Sequence, residues 1–397
     1  MMKFSNRIQR LNSSPIRRLS GYVADAKARG LEVIPLNIGQ PDIPTPREFY
    51  AAISDYDVSV LEYADSRGLT KTLETMQLYL HNYGLDFDLD EIVITNGASE
   101  GLLFTMMALL DDGDEVLSLE PFYPNYSTFI KMVGANMVNL PTSIDDGFRM
   151  PSLEAFEERI TDRTRAILIS SPSNPTGRVY TKEEIDTVVA LAEKHNFFII
   201  ADEVYREFNY TDRDFHSFGD YEEIQDRVIL LDSISKKYSA CGARIGSIAS
   251  KNADFIAHVM KLCQGRLSVS TLDQIGAGAM DLVDDEFVYD NRRTYKKRRD
   301  VLDERLKAIE GVVASEPEGA FYTMVQLPVD DAEKFIIFML ENIEIDGYTV
   351  NSTPAESFYS AEGVGRNEIR LSYCVDEEMI HRAMDILELA LKEYNKQ

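Results

Sequence analysis

Residues 233–246 read Ser-Ile-Ser-Lys-Lys-Tyr-Ser-Ala-Cys-Gly-Ala-Arg-Ile-Gly, between the apolar runs 228–231 and 245–249. Apolar runs of this length predict short buried strands. Lysine is almost never fully buried without a partner, so Lys236 at the mouth of two such strands indicates a special environment. A site that lowers the pKa of this amine would let it attack a carbonyl and form a Schiff base. Ser233 and Arg244 add a hydroxyl and a fixed cation, which suit a phosphate group.

The same segment resembles the cofactor-lysine signature of the class I and II aminotransferases, which are pyridoxal 5'-phosphate enzymes of fold type I. That signature has a small, an apolar and a small residue before the lysine, and Gly-x-Arg-apolar-Gly after it. Every one of these positions is matched between Ser233 and Gly246. A lone Ser-x-Ser-Lys would be typical of a solvated loop, but the full spacing favours a cofactor lysine. Lys237 is a second candidate for the same bond.

The composition is that of an ordinary globular protein, with 44% hydrophobic and 27% charged residues among 397. This length predicts a large core and two domains. The net charge of -26 argues against a nucleic-acid partner, whose phosphates would be repelled. Three dispersed cysteines and five scattered histidines predict neither disulfides nor a metal site. With no apolar leader and no run long enough to span a membrane, the sequence predicts a cytoplasmic enzyme.

Strand-like and helix-like segments alternate from Ile92 to Ala249. This alternation predicts an α/β fold with a doubly wound, mostly parallel sheet. The resemblance implies the fold-type-I transferase architecture, with a seven-stranded sheet that has one antiparallel strand near Ile245, and a smaller α+β unit. We expect residues 46–290 to form the large cofactor-binding domain. Residues 1–45 and 291–397 would form the small domain, joined to it by a long interdomain helix.

Two segments carry residues that the resemblance assigns to the cofactor phosphate and ring. A strand at 92–95 runs into Asn-Gly-Ala-Ser-Glu-Gly and a helix predicted from Leu102 to Leu110. Free N–H groups at such a turn form an anion site, so we expect Ala98 and Ser99 to bind the phosphate. A simple helix cap is the alternative for Ser99. The resemblance implies that Tyr123 stacks on the pyridine ring, with a core tyrosine as the alternative.

Two polar segments follow the ends of predicted buried strands. Asn174 lies in Ser-Asn-Pro-Thr-Gly, which alone indicates a tight turn. The resemblance implies that its amide binds the phenolic oxygen of the cofactor and helps to orient the substrate carboxylate. Asp202 follows the strand at 197–201, where open α/β sheets bind ligands, and is expected to pair with the pyridine nitrogen. A helix cap is the alternative for Asp202, and Tyr205 is expected to reach the phenolic oxygen.

The resemblance also implies a substrate site. Ile38 and Gly39, in Asn-Ile-Gly-Gln-Pro-Asp, would line it, since glycine lets backbone approach a ligand; a simple interdomain turn is the alternative. Arg370, in Ile-Arg-Leu-Ser, is expected to bind the substrate α-carboxylate in a bidentate pair. Arg266 and Ser270 have the spacing with which aspartate transaminases read the distal carboxylate from the partner subunit. A surface arginine is the simpler explanation for Arg266.

Two further segments bear on partners. Tyr63 precedes a helix predicted from Thr70 to Tyr83, and the resemblance implies that it reaches the phosphate site of the neighbouring subunit in a homodimer. A surface tyrosine is the alternative. The basic run 291–299 is similar in composition to a nucleic-acid patch, but apolar residues continue from it at helical spacing. We therefore predict that it is the solvated face of a long helix.

Together these residues predict an amino-acid aminotransferase that moves an amino group between an amino acid, aspartate first, and a 2-oxo acid such as 2-oxoglutarate. Lys236 would hold pyridoxal 5'-phosphate as a Schiff base and act as general base and acid, with Asp202 and Tyr205 as catalytic partners. Aromatic or alanine-type donors are alternatives, as is a fold-type-I lyase that performs β-elimination, because the cofactor carries the chemistry. A ligand-sensing transcription regulator is disfavoured by the negative charge and the absence of an added DNA-binding domain.

Overall fold

The structure is a computed structural model that describes residues 3–9, 11 and 18–396. In chain order its helices are α1 (Asn6–Gln9), α2 (Ser20–Ala28), α3 (Arg47–Ser54), α4 (Thr70–Asn82), α5 (Gly97–Leu109), α6 (Pro124–Met132), α7 (Leu153–Glu157), α8 (Lys182–His195), α9 (Ile234–Lys237), α10 (Ala253–Arg266), α11 (Thr271–Gly278), α12 (Asp285–Lys307), α13 (Ala332–Asn342) and α14 (Glu377–Tyr394). Its strands are β1 (Glu32–Pro35), β2 (Ile92–Asn96), β3 (Glu115–Glu120), β4 (Asn136–Pro141), β5 (Thr164–Ser170), β6 (Phe198–Asp202), β7 (Val228–Ser233), β8 (Ile245–Ala249), β9 (Val313–Ala314), β10 (Tyr322–Gln326), β11 (Tyr348–Asn351), β12 (Thr353–Pro354) and β13 (Glu368–Ser372).

A seven-stranded sheet with strand order β2-β8-β7-β6-β5-β3-β4 organises the larger unit. Strands β3 to β7 pair in parallel, and β8 runs antiparallel to both of its neighbours. Along β5, Ile167 and Ile169 face one apolar core while Ala166 and Leu168 face another, because side chains alternate along a strand. The predicted α/β class, the seven strands and the antiparallel strand near Ile245 are confirmed.

A smaller unit is built from the two ends of the described chain. It contains the antiparallel sheet β12-β13-β10-β9 and the parallel pair β1-β11. Ile34 of β1, Phe335 of α13 and Leu387 of α14 share its core. Among the described residues, no helix has both the length and the apolar content to cross a membrane.

One helix starts earlier than predicted. Helix α5 begins at Gly97, not near Leu102, so Ala98 and Ser99 lie in its first turn. The apolar pattern starts only at Leu102 because the small residues before it approach strand β8 and leave no room for larger side chains.

The basic run 291–299 lies in α12, and the prediction that it forms a solvated face is wrong in part. Tyr295, Arg298 and Arg299 are buried. Arg298 donates to both carboxylate oxygens of Asp42, at 2.6 and 2.9 Å. A bidentate pair with a residue so distant in sequence is what allows an arginine to be buried here.

Candidate functional site

A cavity of about 320 Å³ lies past the carboxyl ends of the central strands, where β10 and β13 of the smaller unit approach the large sheet. Ligands bind at this edge of open α/β sheets. Most of the residues predicted from sequence line the cavity, namely Ile38, Gly39, Ala98, Ser99, Tyr123, Asn174, Asp202, Tyr205, Ser233, Lys236, Arg244 and Arg370. Tyr63 and Arg266 are not among its lining residues.

Helix α9 separates the two adjacent lysines. Ser233 caps the helix, and its hydroxyl accepts a backbone N–H of the first turn at 3.0 Å. Lys236 faces the cavity, where its Nζ donates to the Gly39 carbonyl at 2.8 Å. Lys237 is buried elsewhere and donates to Asp232 Oδ2 at 2.7 Å. Of the two lysines, therefore, Lys236 is the one placed to react with a ligand in the cavity.

The surroundings of Lys236 oppose one another in their effect on its pKa. Burial lowers the pKa, but the Tyr322 hydroxyl and the thiols of Cys241 and Cys374 raise it, and the net direction is upward. The Cys241 sulfur lies 4.0 Å from Nζ. The expectation that this site lowers the pKa of Lys236 is therefore wrong for the ligand-free chain, in which the amine is protonated and acts as a donor.

Asp202, at the end of β6, has one satisfied and one unsatisfied oxygen. Its Oδ2 accepts a hydrogen bond from the Tyr126 hydroxyl at 2.5 Å. Its Oδ1 is buried and has no hydrogen-bond partner within residues 3–9, 11 and 18–396. Burial raises the pKa of Asp202 to about 6, against the opposing Tyr126 hydrogen bond. A buried carboxylate oxygen without a partner is costly, so this geometry favours a ligand that presents a proton to Oδ1.

Tyr126 was not predicted to be a site residue. A signal was present, because Tyr126 follows Tyr123 by three residues at the start of α6, and residues three apart share one face of a helix. The two rings meet edge to face with centroids 5.5 Å apart. Both tyrosines line the cavity.

The N-terminus of α5 lies at one end of the cavity, beside Arg244. Gly97 has φ +70°, and a Cβ there would overlap the Arg244 guanidinium. Across from it, a Cβ on Gly246 would lie 2.5 Å from the Ala98 amide nitrogen. These two glycines let the helix start, strand β8 and Arg244 come together. Helix N–H groups beside a guanidinium make a site suited to a phosphate.

Arg370 forms the opposite end of the cavity. It is fully buried on β13, and its Nη1 and Nη2 donate to Asn174 Oδ1 at 3.0 Å and to the Asn37 carbonyl at 2.7 Å. Both acceptors are neutral, and Nε has no hydrogen-bond partner among the described residues. The guanidinium stacks on Tyr322, 4.4 Å from the ring centroid, and on Phe358 at 5.3 Å. A buried cation held by neutral groups is placed to bind a ligand carboxylate.

Asn37, Tyr322 and Phe358 were not identified as site residues from the sequence. Asn37 lies one residue before Ile38, inside a segment that a motif had marked, whereas Tyr322 and Phe358 lie in segments to which no motif was assigned. The contribution of all three depends on contacts between distant segments, so none of them has a local signature of its role.

Arg266 and Tyr63 lie outside the cavity. Arg266 pairs with Glu100 Oε2 at 3.0 Å and donates to the Ser66 carbonyl at 3.0 Å, so its guanidinium is already engaged within its own chain. Tyr63 is 81% exposed. Both were predicted to act across a subunit interface, and those roles stay predictions.

Known proteins resemble this chain over nearly its whole length. The profile of a family described as "Aminotransferase class I and II" matches residues 32–387. An aspartate aminotransferase of Thermotoga maritima is 34% identical, covering 96% of this chain and 98% of its own. A probable aspartate/prephenate aminotransferase of Aquifex aeolicus is 32% identical over 98% of each chain. A crystal structure of Thermotoga maritima aspartate aminotransferase matches with a TM-score of 0.89 at 33% identity, covering 98% of this chain and 100% of that one.

Proposed function

Because the chain belongs to the class I and II aminotransferase family, whose members use pyridoxal 5'-phosphate, we propose that it transfers amino groups between amino acids and 2-oxo acids with this cofactor bound at Lys236. The observation that supports this function is the shared cavity of two cations, the Lys236 amine and the buried Arg370 guanidinium. One is placed for a carbonyl and the other for a carboxylate, and an amino-acid substrate requires both.

The lining fits the cofactor group by group. The first turn of α5, with Ala98 and Ser99, would bind the phosphate together with Arg244 and Ser233. The unpartnered Oδ1 of Asp202 would accept a hydrogen bond from the protonated ring nitrogen. We assign stacking on the face of the ring to Tyr123. Asn174 and Tyr205 would form hydrogen bonds with the phenolic oxygen at its edge. When bound, the cofactor supplies the electron sink that makes the substrate Cα–H acidic.

The side chains then position the substrate and move its proton. Arg370 would hold the α-carboxylate in a bidentate pair, with Asn174 keeping the guanidinium oriented through its 3.0 Å hydrogen bond. Lys236 Nζ, once free, would take the proton from the substrate Cα as general base and deliver it to the C4′ carbon of the cofactor as general acid. Asp202 would keep its ring partner protonated while Tyr126 stabilises the carboxylate at Oδ2. Ile38 and Gly39 would cover the substrate from the N-terminal segment.

We also propose a homodimer with shared active sites. The loop before α4 exposes Val58, Val60, Leu61 and Tyr63, and an exposed apolar run of this kind is typical of a protein interface. Tyr63 would then reach the phosphate site of the second copy. We further propose that the domain boundaries lie between residues 45 and 46 and between residues 290 and 291. A cytoplasmic location is also proposed.

Aspartate with 2-oxoglutarate is the substrate pair to test first, supported by a relative named aspartate aminotransferase at 34% identity and one named probable aspartate/prephenate aminotransferase at 32%. A neutral donor, aromatic or alanine-type, is the second candidate. The observation that favours it is the intrachain pairing of Arg266 with Glu100, because it leaves the distal carboxylate without this cation.

Lysine trapping tests the cofactor assignment. Borohydride reduction of the protein loaded with pyridoxal 5'-phosphate, followed by peptide mapping, should label Lys236 and not Lys237. Lys236→Ala should lose both the visible absorbance of the bound cofactor and transamination, while Lys182→Ala, on an exposed helix, serves as the control. Transamination by Lys236→Ala, or a label on Lys237, would contradict the assignment.

A donor panel against 2-oxoglutarate separates the two substrate candidates. If Arg266 reads the distal carboxylate, Arg266→Ala lowers kcat/KM for aspartate and not for phenylalanine or alanine. If the arginine is structural, Arg266→Ala and Glu100→Gln lower the melting temperature together and leave the ratio between donors unchanged. Absence of aspartate activity in the wild type would exclude the dicarboxylate assignment.

A further inference from the structure

Tyr322, the first residue of β10, contacts both Tyr205 and Arg370. It is buried, and its hydroxyl lies 2.9 Å from the Tyr205 hydroxyl. Its ring meets the Tyr205 ring edge to face, with centroids 5.7 Å apart and planes at 86°. The face of the same ring carries the Arg370 guanidinium at 4.4 Å. One side chain therefore connects a residue at the phenolic side of the cavity with the carboxylate-binding arginine.

The backbone opposite Tyr322 is shaped around its hydroxyl. A Cβ on Gly39 would overlap the Tyr322 hydroxyl and ring edge, so glycine is what allows the tyrosine to occupy this place. The carbonyl of Gly39 accepts the Lys236 amine at 2.8 Å. The hydroxyl is thus confined between the Tyr205 oxygen and a segment that contacts the reactive lysine.

The direction of the Tyr205–Tyr322 hydrogen bond decides what Tyr205 offers to a ligand. Burial raises the pKa of Tyr205 well above its ordinary value, so its hydroxyl keeps its single proton. A phenol can donate that proton to one acceptor only. If Tyr205 donated to Tyr322, it could present only an acceptor to the cavity, which does not match an anionic phenolic oxygen. If Tyr322 donates, the proton of Tyr205 is available to the ligand.

We propose that Tyr322 is a positioning residue, whose hydroxyl donates to the Tyr205 oxygen and so directs the Tyr205 proton toward the phenolic oxygen of the cofactor, while its ring supports Arg370. This inference rests on the proposed function, since it needs the cofactor in the cavity. Hydrogen bonds in a chain polarise one another, so the donation from Tyr322 also strengthens the donation from Tyr205. The carboxylate site and the proton balance at Lys236 are thereby linked through a single ring.

Absorbance titration of the loaded, substrate-free enzyme tests the hydroxyl. The pH midpoint of the visible band reports the proton shared between the Lys236 nitrogen and the phenolic oxygen. Tyr322→Phe weakens the donor to that oxygen, makes the oxygen more basic and should raise the midpoint by about 0.4 to 1 pH unit, the equivalent of one neutral hydrogen bond. Tyr205→Phe should raise it at least as far. Because Tyr322 acts through Tyr205, the double variant should have the midpoint of Tyr205→Phe alone.

Ligand binding tests the ring separately. The dissociation constant for 2-oxoglutarate should change less than about twofold in Tyr322→Phe, which keeps the ring on Arg370, and should rise about fivefold or more in Tyr322→Leu, which removes it.

Tyr373→Phe is the matched control, because Tyr373 is buried on the neighbouring chain segment and its hydroxyl donates to the Ala320 carbonyl at 3.1 Å, away from the cavity. Its midpoint should equal that of the wild type. The inference is overturned if Tyr322→Phe titrates like the wild type, or if the shifts of Tyr205→Phe and Tyr322→Phe add in the double variant. A wild-type protein that takes up no pyridoxal 5'-phosphate would instead refute the proposed function.

Discussion

Asp202 is a side chain that we expect to favour binding of the cofactor but to lower the stability of the ligand-free protein at neutral pH. Its ordinary pKa is 3.8, and burial raises it to about 6 in the ligand-free chain. Between these two values the folded state holds a proton that the unfolded state has released. The associated stability is therefore fully present below about pH 4 and is lost as the pH rises through 6.

Asp202→Asn should accordingly stabilise the ligand-free protein at pH 7.5, by on the order of 2 kcal/mol, and have little effect at pH 4. The amide retains an oxygen for Tyr126 and removes the buried charge. Urea unfolding at both pH values measures the difference, with the exposed Asp212→Asn as the control. An equal effect at pH 4 and 7.5 would show that the charge is not the cause. The same variant should bind pyridoxal 5'-phosphate more weakly, since it cannot pair with a protonated ring nitrogen.

At this scale, the residues found from the sequence are those whose position is set by their own segment. Asp202 and Lys236 end or follow strands, and Arg370 lies in a strand motif, so the family resemblance could be carried onto each of them and implied that they share a cavity. Tyr126 and Tyr322 were not predicted from the sequence, because the hydroxyl of each forms a hydrogen bond with a residue of another segment, Asp202 and Tyr205 respectively. The same limit applies to Arg266, whose pairing with Glu100 depends on how α10 and α5 pack.

Among the elements, β8 and α5 contact each other through backbone at Gly246. A Cβ at this position would lie 2.5 Å from the Ala98 amide nitrogen and 2.8 Å from the Asp232 carbonyl oxygen. Both neighbours are backbone atoms of regular elements and cannot rotate away. By contrast, a Cβ at Gly242 would meet nothing within 4 Å.

Gly246→Ala should therefore displace the start of α5 from strand β8, with a stability loss of about 2 kcal/mol and weaker cofactor binding. Gly242→Ala should behave like the wild type, which makes it a control only four residues away, just before β8. Thermal unfolding and a fluorescence titration with pyridoxal 5'-phosphate measure the two effects. Equal behaviour of both variants would mean that the contact between β8 and α5 does not shape the phosphate site.

The alternation of strands and helices was sufficient to predict the central sheet, because strands buried on both faces are apolar throughout. The boundaries of helices were predicted less well from the sequence where small or charged residues begin the helix. Helix α5 starts at Gly97, five residues before its apolar pattern. The sequence at Gly97 is typical of a turn, and this residue does have φ +70°, so the helix start was predicted too late. Helix α12 buries arginines whose partner, Asp42, lies 256 residues from Arg298, and no local pattern reveals that pairing.

For the molecule as a whole, the exposed apolar loop before α4 predicts a dimer. Val60 is 65% exposed, and Tyr63, three residues later in the same loop, is 81% exposed. Val60→Asp should introduce a charge that an apolar interface cannot pair, so the protein should sediment as a monomer and bind the cofactor at least tenfold more weakly.

Val364→Asp is the control for this substitution, since Val364 is an exposed valine of the smaller unit. Analytical ultracentrifugation and cofactor titration should show a dimer with wild-type affinity for that variant. A wild type that sediments as a monomer, with full cofactor affinity, would remove the need for a second copy.

The contact between Arg370 and the Asn37 carbonyl joins two residues that are 333 positions apart. During synthesis, Asn37 leaves the ribosome early, but its partner Arg370 is made only with β13, the last strand of the smaller sheet. A nascent chain consequently has no complete pocket for an amino acid, and selective recognition of the substrate can begin only after Arg370 has been made and has folded against Asn37.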